Sequence, residues 1–221
     1  MTDVSRCQIL GVHEKVKNIQ ENFPPFIHSI TTFSLGEVRS SSINLREEEL
    51  TFIQTDQKVI EVHTGELDYR IVMKGWLTHL LCCQHLSTPM ETIVVSRNPS
   101  KIKNDEYLIT IGWKALSNTK AIEYLTRLRE LASNGEKECW PIPPKSGWEM
   151  ASNKRKSSKN SEKAFNRTWI GNQIMPGERS RPEMKICFGD NLNSEELLRD
   201  KTFNPAFESL YNHLIENIIT K

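Results

Sequence analysis

His79, Cys82, Cys83 and His85 fall within seven residues, and four soft or borderline donors so close together invite a zinc reading. The spacing argues against it. On a helix His79 and Cys83 share a face while Cys82 and His85 point elsewhere, and adjacent cysteines rarely chelate one tetrahedral ion. No CxxC pair occurs in the chain. The cluster reads as buried thiols with partly satisfied histidines, so no metal and no cofactor are expected. The sequence also lacks a GxSxG elbow, a GxxxxGK[ST] phosphate cradle, GxGxxG, HExxH and the HxE with PCxxC pair of zinc deaminases. His13-Glu14 stands alone and reads as part of a solvated helix face. We therefore expect no enzymatic activity, although a catalytic pair built from residues distant in sequence would leave no such signature.

Two other features carry more functional weight. Lys154, Arg155, Lys156, Lys159 and Lys163 form a basic cluster in a serine-rich context, a form that an import receptor reads or that grips phosphates by releasing counterions; otherwise it is a solvated linker. Near the chain end, Asn204 caps and Pro205 takes the first position of a helix whose Phe207, Leu210, Tyr211, Leu214, Ile215 and Ile218 make a wide apolar face. That face needs a cover, either its own domain or a groove on another protein. We take Phe207, Leu210, Tyr211, Leu214 and Ile218 as partner-binding residues. Pro141 to Lys145 holds a PxxP spacing, the minimal form read by SH3-type grooves, and equally serves as a strap pinned by Trp140 and Trp148.

The elements that must position these features follow from periodicity. Ile9, Val12, Val16, Ile19 and Phe23 lie on one helical stripe ended by Pro24-Pro25. Short runs rich in β-branched residues then predict antiparallel strands over 26–35, 38–45, 50–54, 58–63, 67–73, 91–96 and 106–113. The most apolar stretch, 69–86, is read as a strand to a break at Gly75 and a buried helix beyond it. Its Arg70, Lys74, His79, Gln84 and His85 exclude a membrane span. An amphipathic helix over 121–132, with Ile122, Leu125, Leu128 and Ala132 on one side, is stopped by Asn134-Gly135.

Composition sets the wider frame. The 221 residues are 37% hydrophobic and carry a formal charge of +1, which gives no global pull toward nucleic acid or anionic membrane. From Lys145 to Arg167, however, seven Lys or Arg face two Glu, so a basic segment is set against a mildly acidic remainder. Five cysteines without regular spacing, and an N-terminus without a secretory apolar run, point to free thiols in a reducing compartment.

The expected architecture is α+β: an antiparallel sheet of about five to seven strands packed with two to three helices over 1–136, a Pro-rich then basic unfolded linker over 137–168, and a partner-binding segment with its helix over 169–221. The expected function is that of a non-enzymatic adaptor, nuclear or alternatively cytoplasmic, whose folded domain and terminal helix each hold a protein. The alternatives are a nucleic-acid-associated accessory protein that contacts phosphates through the basic linker, and a compact viral accessory or matrix-like protein.

Overall fold

A computed structural model describes residues 39–45, 48–55, 58–97, 108–137, 142–154, 158–190 and 192–219. The helix expected over Ile9 to Phe23 and the strand over 26–35 lie outside them. The chain divides between Ala115 and Leu116 into two compact units.

In the first unit, β1 (Arg39–Leu45), β2 (Glu48–Gln54) and β3 (Lys58–Glu66) are followed by α1 (Tyr69–His85), then β4 (Glu91–Arg97) and β5 (Leu108–Trp113). The five strands lie in sequence order in one sheet. β1 pairs with β2 over seven residues, but β2 meets β3 only at Ile53–Ile60 and Gln54–Val59. β4 and β5 are antiparallel, whereas β3 and β4 run parallel. The sheet is therefore mixed, which corrects the expected antiparallel architecture. The cause is α1: a helix carries the chain back across the sheet before β4, as a parallel pair requires.

α1 also replaces the expected strand over 67–73. Asp68, in extended conformation, accepts from the Arg70 and Ile71 amides at 3.0 and 3.1 Å and so starts a helix where alternation of Tyr69, Ile71 and Met73 suggests a strand. Val72, Gly75, Trp76, His79, Leu80, Cys82 and Cys83 make its buried face. Gly75 is a contact rather than a break: a Cβ there would collide with Val94 and lie 3.2 Å from the Trp113 ring. Glycine lets the helix approach β4 and β5 closely. The core is completed by Phe52, Val59, Ile60, Val95 and Trp113.

The second unit is helical. α2 (Asn118–Gly135) is capped by Ser117, whose hydroxyl accepts from the Lys120 amide. Of its expected apolar side, Leu125 and Leu128 are half-buried but Ile122 and Ala132 are exposed, and Ala121 is the residue of this helix that reaches the core. α3 (Pro144–Lys154) and α4 (Ser158–Ile170) come next, where an unfolded linker is expected. Their polar composition hides a few well-placed apolar residues: Ala151, Ala164, Phe165 and Trp169 are all buried. A short 3-10 turn (Glu178–Ser180), α5 (Pro182–Phe188) and α6 (Ser194–Arg199) lead to the last helix. α6 starts with a capping box of Asn193 and Glu196.

The last helix runs as α7 (Phe203–Phe207), a π-turn (Glu208–Asn212) and α8 (His213–Glu216). Phe203, Phe207, Tyr211, Leu214 and Ile215 are buried. Phe203 meets Phe165 edge-on at 5.6 Å, and Tyr211 donates to the Pro144 carbonyl at 3.0 Å. Its cover is supplied by the unit itself.

Candidate functional site

Three members of the histidine and cysteine cluster, His79, Cys82 and Cys83, are sealed inside the first unit. His79 is fully buried against Trp76 and Trp113, with ring centroids 5.4 and 6.1 Å away. Its Nδ1 lies 2.9 Å from the Thr92 hydroxyl. Burial lowers its pKa to about 4, against a smaller opposing effect of the Lys114 backbone. Burial, aided by neighbouring Cys83 and Glu61, pushes the Cys82 thiol up to about 12. Such a thiol is protonated and inert. His85 is exposed at the helix end, and among the described residues no three His, Cys, Asp or Glu side chains are grouped to hold a metal.

One acid and base pair in this unit escapes motif reading. Glu61 and His63, two apart on β3, share a face because strand side chains alternate. Glu61 Oε2 lies 3.2 Å from His63 Nε2, and both side chains are largely shielded. They sit in the part of β3 that follows its two-residue pairing with β2.

In the second unit the basic cluster is divided. Lys154 ends α3 and is engaged: its ammonium donates to Asn212 Oδ1 at 3.2 Å and lies 5.5 Å from the Phe207 ring centre. Arg155 and Lys156 lie outside the described residues. Lys159 and Lys163 belong to α4, and with Arg167 they recur every four residues, so all three fall on one side of that helix. Lys163 and Arg167 are exposed. The opposite side carries Ser161, Ala164, Phe165 and Trp169 into the core. The sequence spacing contains this stripe; seeing it requires knowing that the segment is helical.

The expected partner-binding residues contribute to the interior of their own unit. Phe207, Tyr211 and Leu214 are buried, while Leu210 and Ile218 are half-buried. Of the Pro-rich segment, Trp140 and Pro141 lie outside the described residues, Ile142 and Pro143 are buried, and α3 begins at Pro144. Glu178 closes the start of that helix. Its buried carboxylate accepts from the Lys145 amide at 2.9 Å, the Ser146 amide at 2.6 Å and the Ser146 hydroxyl at 2.7 Å, using the helix N-terminus as its counter-charge. Exposed apolar side chains in this unit are found elsewhere, at Ile174, Met175 and Ile186.

A family model described as the RecC C-terminal domain matches residues 8–155, about two thirds of the chain. The match runs through the first unit and reaches the end of α3 in the second. No curated protein matches the chain.

Proposed function

The chain belongs to the RecC C-terminal domain family, and on that premise we propose that it is a non-catalytic accessory module of a DNA-associated assembly, holding protein partners rather than performing chemistry. The observation that carries this reading is the sealing of the histidine and thiol cluster. His79 and Cys82 are fully buried and held in their neutral forms by desolvation. The test uses Glu61 and His63, the partly shielded pair. Purified chain incubated with labelled linear duplex or single-stranded DNA, Mg²⁺ and ATP is expected to give no cleavage and no nucleotide hydrolysis. Turnover that disappears in Glu61→Gln would overturn the non-catalytic reading.

A second reading, direct contact with phosphates, is favoured by the alignment of Lys159, Lys163 and Arg167 along α4. Three contacts imply a slope of roughly −2.7 in log affinity against log salt, or about a fortyfold loss between 50 and 200 mM. Fluorescence anisotropy with a duplex should show that loss. Changing Lys163 and Arg167 together to Ala should flatten the slope by about two, and an unchanged slope rules the clamp out. The nuclear address expected of the basic cluster rests on Arg155 and Lys156, beside a Lys154 already held against the last helix.

A further inference from the structure

We propose that the turn over 171–177 is a preformed docking tip for a partner protein whose apolar pocket is edged by carboxylates. This inference rests on the reading of the chain as an interaction module and names the surface it would use. Ile174 is 88% exposed and Met175 68%, with Ile170 at the base of the turn 40% exposed. Isolated exposed apolar residues are ordinary on protein surfaces. Here, however, the backbone is built to hold two of them outward.

Asn172 organises the turn. Its amide donates to the Met175 carbonyl at 2.9 Å, while its side-chain oxygen accepts from the Ile174 and Met175 amides at 2.9 and 2.7 Å. Gly171 and Pro176 form an antiparallel bridge across the base. Gly171 adopts φ of 78°, and a Cβ on it or on Gly177 would run into the other's backbone. The base is fastened on both sides. Gly171 donates to the Arg167 carbonyl at 2.9 Å, and the Ser180 hydroxyl donates to the Gly177 carbonyl at 2.6 Å. Buried Trp169 precedes the turn and buried Glu178 follows it. So constrained a loop does not fold its tip back onto the unit, and its bound shape needs little further ordering.

The flanking charges specify the partner. Glu178 is buried and committed to α3, Glu183 lies 3.9 Å from Arg181, and Asp190 lies 3.1 Å from Lys185. Arg167 and Arg179, on either side of the turn, make no ion pair among the described residues. An apolar tip whose turn is flanked in sequence by two arginines without an ion pair fits an apolar pocket with an acidic rim. Two side chains offer too little apolar area to hold a membrane surface, which favours a protein.

A photoreactive benzoylphenylalanine placed at position 174 of the full chain, expressed in its native cell, tests the assignment, with the same group at exposed Glu195 as control. The expected result is one dominant adduct at 174, absent at 195, mapping to an apolar site flanked by Asp or Glu in a different protein. Its yield should fall at least tenfold when Arg167→Glu and Arg179→Glu are combined. An adduct with lipid or a second copy of the chain, no adduct, or a yield indifferent to charge reversal would overturn it. Ile174→Ser with Met175→Ser separates the two readings. Undiminished partner association in that variant removes the tip and leaves the module, whereas a wild-type chain that associates with no protein removes both.

Discussion

Deleting residues 203–219 is expected to unfold the second unit and leave the first intact. The deletion removes Phe203, Phe207, Tyr211, Leu214 and Ile215, all buried. Truncating a single large core residue costs about 2 to 5 kcal/mol, and a whole domain is stable by only about 5 to 15 kcal/mol. Losing five matches or exceeds that margin. The loss also frees the Pro144 carbonyl from Tyr211 and uncovers Phe165. Hydrogen exchange read by mass spectrometry separates the outcomes: protection should vanish across 118–135 and 144–170 and persist across 69–85 and 91–97, where the core is made of Trp76, Leu80, Val94 and Trp113. Retained protection in 144–170 would show the last helix to be a detachable docking element, as its amphipathic sequence equally allows.

That ambiguity shows where sequence reading ends. The helix was legible because its apolar residues recur at three and four, but nothing in a period says which surface covers it. The unfolded linker failed for a related reason. Average polarity over 149–170 is high, yet a helix needs only one narrow stripe, and Ala151 on α3 and Ala164, Phe165 and Trp169 on α4 supply it. The carboxylate that fastens α3 comes from Glu178, about thirty residues downstream, a spatial cap with no local signature. In the first unit, Leu67 to Met73 satisfied a strand pattern as well as a helix pattern. What decides between them is Asp68 at the N-cap and the close approach at Gly75. Once that segment is a helix, the parallel pairing of β3 and β4 follows. Nothing in the sequence around Ile174 and Met175 says that Asn172 and two glycines hold them outward.

Between about pH 6.5 and 4 the first unit is expected to lose about 3 kcal/mol of stability through His79 alone. Its folded pKa is lowered to about 4, because the ring is buried against two indoles, while in the unfolded chain it returns to about 6.5. In that window the unfolded state binds a proton that the folded state refuses, so stability falls as pH falls, by about 1.4 kcal/mol per unit. Above the unfolded value both states are neutral and the contribution is complete; below about pH 4 both are charged and the loss stops growing. The polar contacts of the neutral ring explain why a histidine is tolerated there: Nδ1 faces the Thr92 hydroxyl at 2.9 Å, and the Lys114 backbone supplies the other hydrogen bond. The urea midpoint, followed by tryptophan fluorescence from pH 7 to 5, should therefore drop steeply in the wild type and less steeply in His79→Gln, which carries no proton to gain. Parallel pH profiles for the two proteins would mean that the ring is hydrated in solution and that the cluster is not sealed, which would also remove the main support for a non-catalytic module.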